Sequence, residues 1–173
     1  MIHGDIKPQN MLVFQYATGK ITVKVADFGY STLTIGEAGE VYLPKSRPWN
    51  APEHHFGEFT ALAAKKMDVY SFGILCLWVL FGNVGIAQKS SDYMAECVSF
   101  DAFSGTRTPL EQLKDDDQVE LLANQLMGSM PLADLSAELR VRLKEFFNVT
   151  VCRCTKKRTS DIGKLLGLLG REQ

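Results

Sequence analysis

Residues 11–25 constrain this chain more than any other stretch, because a short hairpin there forces its two flanks together. Met11-Leu12-Val13-Phe14 is an apolar run, Tyr16-Ala17-Thr18-Gly19-Lys20 is a polar turn, and Ile21-Thr22-Val23-Lys24-Val25 alternates. Two such runs around a short loop containing glycine read as antiparallel strands. Antiparallel pairing sets the start of the first strand beside the end of the second. Asn10 and Asp27 therefore fall at the same end, with Asp5 and Lys7 in the loop just before it. Two carboxylates, an amide oxygen and an ammonium converge on one small volume. Hard oxygen ligands beside a cation suit Mg²⁺ and a polyphosphate.

The flanks carry recognisable signatures. The pattern H-R-D-x-x-x-x-N is matched at His3, Asp5 and Asn10, and D-F-G is matched at Asp27-Phe28-Gly29. Further along stand Ala51-Pro52-Glu53, Asp68-Val69-Tyr70-Ser71-Phe72-Gly73 and Arg158. In this order and spacing the chain resembles a protein kinase from Ile2 to about Leu169. The resemblance implies that Asp5 is the base that accepts the substrate hydroxyl proton, and that Asn10 and Asp27 hold Mg²⁺. It implies that Lys7 steadies the γ-phosphate of ATP, as in serine/threonine-type members. Ala51-Pro52-Glu53 matches the end of the activation segment, Asp68 matches an Asp that hydrogen-bonds the catalytic-loop backbone, and Arg158 matches an Arg that pairs with the Glu of that segment, here Glu53.

The same resemblance sets expectations about what lies outside the match. A complete kinase has a small lobe upstream, with a glycine-rich loop, a strand Lys and the Glu that pairs with it. None is found here. Gly36-Glu37-Ala38-Gly39 has the wrong spacing, and Gly82-Asn83-Val84-Gly85 follows a helix pattern, so both read as turns. The expected fold is mainly α with a short β-hairpin, a kinase-like large lobe incomplete at its N-terminus. Residues 1–173 form one domain, with a catalytic loop at 3–10, an activation segment at 27–53 and a helical remainder at 67–170.

Composition narrows the function classes. With 173 residues, 46% of them hydrophobic, the chain can bury a core. A net charge of -1 gives no signal for nucleic acid or an anionic membrane. The longest apolar run, Phe72 to Phe81, is too short to cross a bilayer and reads as a buried helix. The N-terminus is polar and shows no signal peptide, so an intracellular, cytoplasmic protein is expected. Cys76, Cys97, Cys152 and Cys154 show no disulfide-rich spacing.

Periodicity gives the remaining elements. Residues 67–81 read as the buried helix and 83–116 as irregular. Asp117 and Glu120 form a capping box ahead of Val119, Leu122, Ala123 and Leu126. Residues 134–147 carry an apolar face of Leu135, Leu139, Leu143, Phe146 and Phe147. Thr159 or Ser160 caps a last helix through Leu165, Leu166 and Leu169. Other chemistry-bearing residues read as structural. His3 packs and hydrogen-bonds. His54-His55 are surface residues. Cys152-Arg153-Cys154 lacks a second ligand pair for zinc and leaves one thiol buried. Asp115-Asp116-Asp117 is a solvated cap.

Departures from the family pattern matter too. Gly4 replaces the Arg that, in the family, receives an activation-segment phosphate, so activity is expected not to require that modification. Lys7-Pro8 points to the serine/threonine type, although Trp49 is a residue seen in tyrosine-type members. The resemblance implies that Ser46 would serve as the hydroxyl that hydrogen-bonds Asp5 and Lys7 in serine/threonine-type members, and that Arg47 to Asn50 would line the substrate side. The implied reaction is in-line transfer of the ATP γ-phosphate to a protein hydroxyl. Beyond the protein substrate, another kinase lobe or a regulatory protein is a candidate partner. Three readings compete: the catalytic part of an active kinase, a non-catalytic interaction module, and a truncated remnant. Residues 1–173 alone are expected to be inactive, because half a pocket cannot exclude water.

Overall fold

A computed structural model of the chain describes residues 1–32, 40–56, 58–81, 109–129 and 136–170. Strands β1 (Met11–Gln15) and β2 (Ile21–Val25) form the hairpin, with Met11 opposite Val25 and Gln15 opposite Ile21. Gly19 sits in the turn at φ +80°, a conformation that favours glycine. A second, two-residue ladder pairs β3 (Glu40–Val41) with β4 (Phe59–Thr60). Among the described residues five α-helices follow: α1 (Ala61–Phe81), α2 (Pro109–Asp115), α3 (Val119–Ser129), α4 (Ala137–Thr150) and α5 (Ile162–Leu169).

The centre of the molecule is α1. Its buried residues include Val69, Tyr70, Ser71, Gly73, Ile74 and Leu75. Consecutive buried positions mean that more than one face is covered, the mark of an interior helix. Phe146 and Phe147 of α4 pack on it, with Phe146 edge-on to Phe72 at 6.0 Å and Phe147 tilted against Phe81 at 6.3 Å. The approach is close at Gly73. A Cβ there would meet Thr150 Oγ1 at 2.6 Å and Val151 Cγ1 at 2.8 Å. No helix among the described residues is long and apolar enough to cross a membrane.

Several boundaries differ from the sequence reading. The central helix begins at Ala61, not at residue 67, because the Thr60 hydroxyl accepts from the Ala63 N–H at 3.2 Å and three alanines extend the helix. Part of the stretch read as irregular, Pro109–Asp115, is helical. Asp117 does not cap the next helix. It lies at φ 58°, a left-handed turn after α2, and α3 starts at Val119. Ser136 caps α4 through the Leu139 N–H at 3.2 Å. The last helix is capped by Asp161, which accepts from the Lys164 N–H at 3.2 Å, while Thr159 braces Asp161 from outside. Thr34, the glycines at 36 and 39, the 82–85 turn, Cys97 and Leu135 lie outside the described residues.

The hairpin is unlike the half-buried ribbon that its alternation suggests. Val13 is 65% exposed and Val23 56%. Below it, the hairpin, α1, α4 and α5 enclose an apolar groove of about 680 Å³, lined among others by Met11, Val13, Cys76, Trp78 and Leu143. Burial pushes the Cys76 thiol up to about 12.

Candidate active site

The loop before the hairpin is held from beneath by one side chain. Asp68 of α1 accepts from the His3 N–H at 2.6 Å and from the Gly4 N–H at 2.9 Å. Burial pushes the Asp68 carboxyl up, although both amides favour its ionised form. Gly4 takes φ +86°, and a Cβ there would lie 3.1 Å from both Leu43 Cδ2 and Tyr30 O. The residue that replaces the family's Arg thus occupies a backbone conformation suited to glycine.

His3 bridges the two signatures. Its Nδ1 accepts from the Asp5 N–H at 3.3 Å, which leaves Nε2 to donate to the Ala26 carbonyl at 3.0 Å. One neutral tautomer satisfies both contacts. Its ring meets Phe28 edge-on at 5.1 Å. The reading of His3 as structural therefore agrees with its surroundings.

Asp5 is buried and receives three donors. Ser46 Oγ donates at 2.5 Å, Lys7 Nζ lies 2.6 Å away, and Asn10 Nδ2 donates at 3.1 Å. Lys7 also donates to Ser46 Oγ at 3.2 Å, which closes a triangle. Burial alone would raise the Asp5 carboxyl. The Lys7 and Ser46 hydrogen bonds, the Lys7 charge and the Asn10 amide outweigh it and hold the group below the usual range. Because Asn10 spends its amide nitrogen on Asp5, including the Asp5 carbonyl at 2.8 Å, its oxygen remains for a ligand.

Asp27 arrives by the hairpin register. The Ala26 N–H donates to the Asn10 carbonyl at 2.8 Å, so the chain enters Asp27 directly beside Asn10. Asp27 is exposed, lies at φ 60°, and accepts from the Gly29 N–H at 3.3 Å. Asn10 and Asp27 thus offer two oxygens at the end of the hairpin. That donor set fits Mg²⁺, which takes one or two protein ligands and completes its shell with phosphates and water.

Behind the site, buried Arg158 forms a two-pronged pair with Glu53: Nη1 to Oε1, and Nη2 to Oε2 at 3.3 Å. Arg158 also donates to the Cys152 carbonyl and stacks 4.7 Å from the Tyr70 ring centroid. Cys152 is buried and Cys154 exposed, as the C-R-C spacing suggested. In the loop after Ser46, Trp49 meets Trp78 edge-on at 5.9 Å, and the Asn50 N–H donates to the Ser46 carbonyl at 3.0 Å.

Two residues escaped the sequence reading. His54 is not a surface residue. Its Nε2 lies 3.1 Å from the Leu43 carbonyl and its ring packs on Phe59, because the short 3-10 turn Pro52–Phe56 points it back at the stretch around Leu43. Lys114 is buried and donates to the Pro48 carbonyl at 2.6 Å. Its proximity to Glu111 in an acidic stretch was the available signal, and such a pair ordinarily marks a solvated face.

A helical body centred on α1, a hairpin that brings Asn10 and Asp27 to one end, and a carboxylate-clasped loop together define a protein-kinase-like fold. The chain belongs to the protein kinase domain family, whose sequence profile matches residues 1–165. Among curated relatives it is 30% identical over 176 residues to "Calmodulin-binding receptor-like cytoplasmic kinase 1" of Arabidopsis thaliana, across 99% of this chain and 34% of the relative. It is 36% identical over 94 residues to "Dual specificity protein kinase shkD" of Dictyostelium discoideum, across 54% of this chain and 12% of that one. It is 28% identical over 152 residues to "Wall-associated receptor kinase 1" of Arabidopsis thaliana, across 84% and 20%. The chain spans about a third or less of the length of these relatives.

Proposed function

We propose that this chain carries the phosphate-transferring side of a serine/threonine-type protein kinase that uses ATP and Mg²⁺. The observation that carries the reading is the triangle of Asp5, Lys7 and Ser46, in which a carboxylate held ionised lies beside a cation. Asp5 would orient an acceptor hydroxyl and take its proton. Lys7 would offset charge on the transferring group. A Mg²⁺ ion held by Asn10 and Asp27 would neutralise charge on the phosphates. The Lys7–Ser46 contact supports the serine/threonine assignment over tyrosine.

Residues 1–173 alone should transfer phosphate negligibly, since Asp27, Phe28 and both hairpin strands face outward and cannot exclude water. The test is a phosphotransfer assay on the longest natural chain containing these residues, with Asp5→Asn as control. Phosphoserine or phosphothreonine that disappears in the variant supports the proposal, and phosphotyrosine alone overturns the residue class. Independence from activation-segment phosphorylation is tested with Thr32→Ala and Thr34→Ala. Ser46 is unsuitable for that purpose, because its hydroxyl is bonded to Asp5. The competing reading, a kinase-like module that only binds a partner protein, draws on the apolar groove. It predicts that Asp5→Asn leaves cellular function intact.

A further inference from the structure

Lysine is rarely buried without a partner, yet Lys114 is only 5% exposed. Its ammonium donates to the Pro48 carbonyl at 2.6 Å, across 66 residues of sequence. One turn earlier on α2, Glu111 pairs with Arg47 at 3.4 Å. Helix α2 therefore grips two consecutive residues of the loop between Ser46 and Asn50, one by its side chain and one by its carbonyl. The Tyr70 ring centroid lies 5.9 Å from the ammonium and faces it from α1. The loop is closed on itself by the Asn50 N–H on the Ser46 carbonyl, so a displacement of Pro48 is passed to Ser46. Ser46 in turn donates to Asp5 at 2.5 Å.

We propose that Lys114 is a positioning residue for the acceptor peptide: it holds the Pro48 carbonyl and, through that loop, sets the Ser46 hydroxyl against Asp5. The inference rests on the reading of Asp5 as the group that receives the acceptor hydroxyl. A charged donor lost from a buried carbonyl leaves that carbonyl unpaired, which frees the loop locally.

Two measurements on Lys114→Met test it. The first is amide hydrogen exchange on residues 1–173. The Asn50 amide should exchange about tenfold faster than in the wild type, while the His3 and Gly4 amides keep their protection. Unchanged exchange at Asn50, or an equal rise at all three amides, overturns the proposal. The second is steady-state kinetics on the longest natural chain. For a peptide substrate, kcat/KM should fall about tenfold while KM for ATP stays within about twofold. An unchanged kcat/KM for the peptide, or an equal loss of affinity for ATP, overturns it. Lys114→Arg, which keeps the donors and the charge, should restore most of both readouts, and Lys114→Gln, which removes the charge but stays polar, replaces the Met variant should that one fail to fold. If the longest natural chain transfers no phosphate at all, the kinase reading falls, and the exchange experiment on residues 1–173 still decides whether Lys114 holds the loop.

Discussion

At the scale of single residues, the site is organised around one carboxylate with three donors. Removing one donor should be visible in its titration. Ser46→Ala should move the Asp5 carboxyl upward, toward its ordinary range near 3.9, as read by carbon NMR of the side chain. Because the folded-state value is depressed, Asp5 contributes stability that is present above its unfolded value and lost as pH falls through the folded one. Ser46→Ala should shrink that acid-labile share. Gly4→Arg makes a second prediction. Restoring the family's Arg would place a Cβ in a left-handed conformation 3.1 Å from Leu43 and Tyr30. It should cost about 1–2 kcal/mol by thermal unfolding without making activity phosphate-dependent. Asp5, Lys7, Asn10 and Ser46 were legible in the sequence because their partners are short-range or fixed by an ordered set of motifs. Lys114 was not, because its partner Pro48 lies 66 residues away, and His54 was not, because only the backbone path of the 3-10 turn aims it at Leu43 and Phe59.

At the scale of elements, the hairpin was readable to within a residue: the run Met11–Phe14 extends to Gln15 in β1, and Ile21–Val25 is β2. Helix ends were less legible. Thr159, Ser160 and Asp161 are all competent caps, and only the backbone path selects Asp161. The start of α1 was missed because the reading was anchored on Asp68 rather than on Thr60 and the alanines after it. The approach of α1 to α4 was also invisible, because a single glycine in an apolar run carries no sign of what lies against it. Gly73→Ala tests that approach. The added methyl would meet Thr150 and Val151 at under 3 Å, and the overpacking should cost about 1–3 kcal/mol in denaturant unfolding. The same change at Gly167, which has open space, should be neutral or stabilising.

At the scale of the whole molecule, pH dependence on the alkaline side should report the buried lysine. Burial lowers Lys114 to about 8, while an unfolded lysine titrates near 10.4. Between those values the unfolded chain binds more protons, so this group makes stability rise with pH. Burial dominates the lowering of Lys114, Glu111 and Glu53 oppose it, Arg47 adds to it, and the Tyr70 ring lies 5.9 Å from the ammonium. The buried thiols of Cys76 and Cys152 pull the other way, so the comparison to make is wild type against Lys114→Met by urea unfolding at pH 7.5 and 9.5. The wild type should gain relative to the variant at the higher pH. A different asymmetry runs across the nucleotide side. Asp5 is fixed to the interior before any ligand arrives, whereas Asp27 stands exposed with its contact to Gly29. On the proposed assignment, ordering Asp27 is deferred to the moment of binding. Calorimetry of Mg²⁺-nucleotide binding should then show favourable heat opposed by an entropic loss, and a stiffened tether at Gly29, such as Gly29→Ala, should change the balance of the two more than their sum.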